Sequence, residues 1–532
     1  MKFLQKYMLI LVALGLLLSS CRTAKSTSQP FPSPSAAGSE TPFERPLATA
    51  APREEALISS PQTLAACDLE KQMRAMQPDQ IPDWTQLGID ACYDMVFDLA
   101  QDGQSYTGTA RITYTNLSGE TLEDLVLRLY PNAPVIYGGD MTLDKAAVDG
   151  QPLAQESLLE DGTAVRLELD SPLKPQETLT LELAFSGHLP IDSPGEYTYG
   201  LFTLNSAGPV AVLINSYPLF AVREGGQWRV DAVLPEGDAV VSKTALYLVD
   251  LRLPEGWKVS ATGVLLEQYQ ENDQEIFEFA GGPVREFAWT ASPAFQERAE
   301  LVDETRLRHW ALHETEQAWA EALQVVADSL ELFGEFFGPY PYAELDVIAL
   351  PLKNASGVEY PGLILIRDLL YTTTDTPRLL PTVVAHEVAH QWWYALVGSD
   401  VLRSPWQDEA LATFSAQLYQ LEHNRGFYEG TRTYYENRVS EIEAQNGEQD
   451  IAQPVSAFGG MPSVYAVTVY QKGELFFEAL RAQIGDEAFY QALHEYYAAN
   501  MYQIASPDEL LDSFEQTCNC DLSELYAEWG VR

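Results

Sequence analysis

The chain has 532 residues, and 46% of them are apolar, enough for a large core and for roughly three domains of ordinary size. Its formal net charge is −45. That charge argues against nucleic-acid binding, because a phosphate backbone requires a basic surface; it favours solubility and draws in cations without dictating a fold.

The first expected segment, residues 1–21, is an export signal. Lys2 and Lys6 precede an apolar run from Met8 to Leu18 that is short for a bilayer span. The run ends in Leu18-Ser19-Ser20-Cys21, which resembles a bacterial lipobox. The resemblance implies cleavage before Cys21, lipid attachment at Cys21 and an extracytoplasmic protein anchored to a bacterial membrane. A plain signal peptide or one anchoring helix is the alternative. Residues 22–80 are expected to form a disordered Ser/Pro/Ala-rich tether. Stretches such as "QPFPSPSAAGSETPFERP" bury too little surface to offset their ordering entropy.

Residues 81–312 are expected to form an antiparallel β domain. "TARITYTNL", "TLTLELAF" and "ALYLVDLRLP" alternate apolar and polar residues, and turn sequences such as Asp161-Gly162 and Pro254-Glu255-Gly256 separate such runs. This is the period of a sheet with one buried face. Residues 313–532 are expected to form an α+β, mainly helical domain. In "EQAWAEALQVVADSLELFGEFFG" the apolar residues recur at three and four, an amphipathic helix that Gly338-Pro339 ends. "ELDVIALP" and "YPGLILI" read as short strands. Four cysteines follow the signal: Cys67, Cys92, Cys518 and Cys520. An even number in an exported chain suggests disulfides of open connectivity. Cys67–Cys92 is the easier bridge; Cys518 and Cys520 could pair or stay free.

The helical domain contains "VVAHEVAHQWW". His386 and His390, four apart on a helix, share a face and can converge on one ion, with Glu387 beside them. A catalytic zinc needs a third protein ligand and an open position. Glu409, in "SPWQDEALATF", completes a His-His-Glu set. His309, His313, His423 and His494 have no ligand spacing, and Trp392 and Trp393 read as packing residues.

His386-Glu387-x-x-His390, eighteen intervening residues and Glu409 resemble the gluzincin pattern of the M1 zinc aminopeptidases. "SGVEYPG" stands where that family has its Gly-x-Met-Glu-Asn exopeptidase motif, and "VYQKGELFFEAL" resembles its Tyr-x-Lys-Gly segment. "FGPYPYAELDVIALP" resembles the lead-in to the exopeptidase strand, and the likeness covers most of residues 93–532. The resemblance implies a saddle-like β domain followed by a thermolysin-like zinc peptidase domain. It also implies one zinc per chain held by His386, His390 and Glu409, with Glu387 as general base and acid. Tyr470 becomes the oxyanion donor, and Glu359 the carboxylate that binds a free N-terminus. The expected activity is removal of N-terminal residues from peptides outside the cell by metal-activated water attack. A thermolysin-like endopeptidase and a surface peptide-binding protein with little turnover are the alternatives. The chain departs from the pattern at Val358 and Tyr360, where the family has Met and Asn. Asp408 and Ala410 stand where it has Asn and Gly. It is expected to be a lipoprotein form without the long C-terminal helical domain of many members.

Overall fold

The structure, a computed structural model, describes residues 58–313, 316–372 and 379–532. The expected signal segment, Cys21 and the tether as far as residue 57 lie outside the described residues.

Alternation of apolar and polar side chains builds the first domain. Ser105–Thr115 buries every second residue along most of its length, so one face of the strand is committed to a core. The principal sheet has eight strands, with Ala91–Leu99, Ala245–Pro254 and Ser105–Thr115 at its centre. Pairing is mostly antiparallel; Ala91–Leu99 and Ala245–Pro254 run parallel. A four-stranded sheet containing Val210–Ile214 and Ala288–Ser292 supplies further strands. Between strands of these two sheets Phe97 meets Trp289 edge-on at 5.5 Å, a geometry that aromatic pairs prefer.

The second domain combines a five-stranded sheet with helices. Its sheet order is Gln296–Val302, Thr305–Ala311, Glu344–Leu350, Leu363–Arg367 and Gly357–Tyr360. The long helix Glu316–Phe337 ends where expected, at Gly338, whose φ is +130°. It packs against the helix Leu379–Ala389, which in turn packs against Trp406–His423. Together these give an N-terminal multi-strand domain followed by a helical domain. Among the described residues no helix is long and apolar enough to cross a membrane.

Two expected boundaries move. Residues 58–80, assigned to the tether, are folded: Pro61–Ala66 and Leu69–Met73 are helical, and Leu64, Cys67 and Met76 are buried. Ser60 caps the first helix through the Gln62 amide, and Cys67 is bonded to Cys92 on a central strand. These helices are too short for an apolar period to show. The second domain also starts before residue 313, because Gln296–Val302 and Thr305–Ala311 belong to its sheet. Their two-residue period matches that of the first domain, so the pattern carries no sign of the change of sheet. Cys518 and Cys520 are paired to each other.

Arg285, fully buried, fastens the domains together. It donates to the carbonyls of Ser242 at 2.9 Å and Tyr394 at 2.7 Å, and to that of Gln503. Arg229 forms a two-pronged pair with Asp400 at 2.7 and 3.2 Å. Such planar bidentate contacts fix orientation as well as distance.

Candidate metal centre and substrate cleft

The helix Leu379–Ala389 carries the histidine motif and is buried on nearly every side. Directly after it the chain makes a wider turn over Gln391–Leu396. Trp392 and Trp393 anchor that turn inside the protein. Their indole N–H groups donate to the Gly338 carbonyl at 2.8 Å and the Ser415 hydroxyl at 3.1 Å.

His386 Nε2, His390 Nε2 and Glu409 Oε2 converge. The three separations are 3.2 Å between the histidines, 3.2 Å from His386 to Glu409 and 3.4 Å from His390 to Glu409. Two ligands on a tetrahedral zinc with bonds of ~2.0–2.1 Å stand about 3.3 Å apart. The donor set of two imidazoles and one carboxylate thus fits zinc in chemistry and in spacing. His390 Nδ1 donates to the Trp393 carbonyl at 3.1 Å, which leaves the Nε2 lone pair free for an ion. Burial holds the His386 pKa below its usual value. Burial alone would raise that of Glu409, but its hydrogen bonds to His386 and His390 outweigh this and bring it down to about 2. Burial lowers the His390 pKa too, but the surrounding Glu359, Glu409 and Glu387 carboxylates outweigh it and hold that pKa well above its usual value.

Glu387 stands next to the cluster with Oε2 buried and without a hydrogen-bond partner among the described residues. Its side chain lies against Gly357, where a Cβ would overlap the carboxylate. Burial and then the neighbouring Glu359 push the Glu387 carboxyl well above the usual range. Glu359 lies on the edge strand Gly357–Tyr360, with Oε1 3.8 Å from His390 Nδ1. Glu359, Glu387 and His390 form a second group of possible ligands. The His390 nitrogen near Glu359 is already committed to Trp393, so the first group is the better candidate for holding an ion.

Tyr470 also reaches the cluster. Its ring stacks on His386 at 5.9 Å and 21°, and its hydroxyl donates to Glu409 Oε1. The structure therefore brings His386, Glu387, His390, Glu409, Glu359 and Tyr470 to one place. The remaining histidines stand apart from it: His309, for instance, is buried and bonded to the Tyr371 hydroxyl at 2.7 Å.

Sequence reasoning missed Asp238. It comes from the first domain and lines one cavity with Glu359 and Tyr360. After burial, Asp238 is the largest cause of the raised Glu359 pKa. Asp238 thus adds to the cost of ionising Glu359 across their shared cavity. The loop around Asp238 has no regular period, and only the folded arrangement of the domains could reveal its position.

A β-sheet domain is followed by a helical domain that carries the His386-Glu387-x-x-His390 helix and, downstream, Glu409. Residues 321–529 match the peptidase family M1 domain. Aminopeptidase N of Lactobacillus delbrueckii subsp. lactis is 24% identical over 464 residues, covering 82% of this chain and 50% of that protein. The leucyl aminopeptidase of Saccharolobus solfataricus is 23% identical over 296 residues, covering 54% of this chain and 38% of that protein. The chain thus spans half the length of the Lactobacillus relative. The crystal structure of an M1 zinc metallopeptidase from Deinococcus radiodurans has the same fold. Its TM-score is 0.60 at 20% identity, covering 84% of this chain and 94% of that one. A mutant of that protein has been solved with a Tyr-Ser-Ala substrate.

Proposed function

We propose that the protein is a zinc aminopeptidase that removes residues from the free N-terminus of peptides. The observation that carries this reading is the juxtaposition of a three-donor zinc cluster with the carboxylates of Glu359 and Asp238. An endopeptidase has no use for anions at that position, whereas an exopeptidase needs them for the substrate's ammonium group. When bound, zinc supplies Lewis acidity, which polarises a carbonyl and lowers the pKa of water. His386, His390 and Glu409 hold it. Glu387, through its unpaired Oε2, takes the proton from the attacking water and returns it to the leaving amine. Tyr470 donates its hydroxyl proton to the developing oxyanion. Glu359 and Asp238 hold the ammonium group, so the scissile bond is the first one in the chain.

Glu359→Ala tests the reading. A charge-assisted contact of this kind contributes about 1.5–3 kcal/mol, or one to two decades. The kcat/KM for free aminoacyl-coumarin amides should fall by that much, with zinc content unchanged. Any slow cleavage of N-acetylated substrates should be insensitive to the change. Equal losses on both substrates would remove the exopeptidase reading and favour a thermolysin-like endopeptidase.

We further propose that the protein acts outside the cytoplasm on a lipid anchor at Cys21. The support is Leu18-Ser19-Ser20-Cys21 after a short apolar run. Cys21→Ser should release the protein from membranes or block its processing, as fractionation and immunoblotting would show. Unchanged membrane attachment and processing would refute the anchor.

A further inference from the structure

Gln391 immediately follows the second histidine and is fully buried. Its side-chain amide makes two hydrogen bonds to the backbone of another element. Oε1 accepts from the Gly362 N–H at 2.8 Å, and Nε2 donates to the Tyr360 carbonyl at 3.0 Å. These groups flank Pro361 in the turn that follows Glu359. Gly362 needs its φ of +68° to present its N–H there, a conformation for which glycine is suited.

The strand that carries Glu359 is the last in its sheet. Gly357–Tyr360 pairs only with Leu363–Arg367. An edge strand held on one side has backbone groups to satisfy on the other. Here the histidine helix and the turn after it supply that second side at two points. Gly357 rests against the Glu387 side chain, and the Tyr360–Gly362 turn is clamped by Gln391. Glu387 lies in the helix and Gln391 opens the wide turn directly after it. The strand that carries Glu359 is therefore held at both ends, by Glu387 at Gly357 and by Gln391 at the Tyr360–Gly362 turn.

We infer that Gln391 is a positioning residue for substrate recognition. It holds the Glu359 carboxylate at a set distance from the metal ligand His390, and so fixes how far the substrate's N-terminus stands from the bond that breaks. This inference rests on the reading of Glu359 as the ammonium-binding group. Gln391 itself touches neither substrate nor metal. It acts only through the Glu359 strand.

The test uses the full chain with two substitutions and two substrates. Gln391→Met keeps the side-chain length and loses both hydrogen bonds. Gln391→Glu keeps the acceptor for Gly362 and turns a carboxylate oxygen toward the Tyr360 carbonyl. Preference for a free aminoacyl-coumarin amide over its N-acetyl counterpart should fall about tenfold or more in each variant, carried mainly by a higher KM for the free amine. Zinc content should stay at one per chain, and the slow rate on the acetylated substrate should hold. A purely structural role would lower both rates together and leave the preference intact, and that result would overturn the inference. So would loss of zinc with unchanged preference, which would assign Gln391 to the support of His390. The two readings fail separately. A wild-type protein that cleaves both substrates equally overturns the ammonium reading and this inference with it. A discriminating wild type with equally discriminating variants overturns this inference alone.

Discussion

Glu387→Gln is expected to remove nearly all turnover while the protein keeps its metal. The amide has the size and shape of the carboxylate, so the contact with Gly357 survives. It has no basic oxygen pair and cannot take a proton from water. Loss of a general base costs about 10²–10⁴ in rate, and in the proposed mechanism this residue serves twice, as base and then as acid. Its Oε2 is buried and has no hydrogen-bond partner among the described residues, so it is free to accept a proton. His390→Ala is the paired control. It removes one of three donors that stand 3.2–3.4 Å apart and should lose most of the zinc as well as the activity. Zinc is measured by elemental analysis and turnover with aminoacyl-coumarin amides. More than a tenth of the wild-type rate in the Glu387 variant would refute its role as base. Zinc at full occupancy in the His390 variant would refute the assigned ligands.

These residues could be named from the sequence because their signal is local. The interval between His386 and His390 is one helical turn, and Glu409 opens a helix whose buried Trp406 and Leu411 mark it in the sequence. Strands with a strict two-residue period were equally legible. "TLTLELAF" lies within Thr178–His188, and "ALYLVDLRLP" spans Ala245–Pro254. Tyr470 and Glu359 were reached only through family resemblance, since neither tyrosine nor glutamate stands out among its many copies in this chain. What stayed hidden depends on contacts remote in sequence. Asp238 matters because a loop of one domain is held against the other by Arg285 and Arg229. The strand Gly357–Tyr360 has four residues, too few to establish a period. Gln391 looked like one more polar residue beside two tryptophans; its meaning appears only once the Tyr360–Gly362 turn lies against it. The wide turns at Gln391–Leu396 and Val467–Lys472 interrupt helical spacing at the places where site residues leave it.

Tyr470→Phe is expected to lower kcat by about 10²–10³, the usual effect of removing one oxyanion donor, while KM stays within about threefold. The geometry makes this a clean substitution. Tyr470 sits in the turn Val467–Lys472, which is pinned from outside: Lys472 Nζ is 2.7 Å from Glu443 Oε1 and 2.6 Å from the Gln449 carbonyl. Gly473 lets the turn close on the Trp406–His423 helix, because a Cβ there would overlap that of Ala410. The ring stack on His386 survives in phenylalanine, so only the hydroxyl is lost. That hydroxyl donates to Glu409, a proposed metal ligand, and this creates a rival account. If its purpose is to orient Glu409, its loss should weaken zinc binding by about 10–100-fold, as loss of such a supporting hydrogen bond does. Turnover would then recover at saturating zinc. If the hydroxyl swings to the oxyanion in the transition state, zinc affinity changes little and kcat stays low however much zinc is added. Chelator-buffered zinc titrations with kcat read at each free-metal level separate the two. Recovery of the wild-type kcat at high zinc would remove Tyr470 from the chemistry and leave it as a support for Glu409.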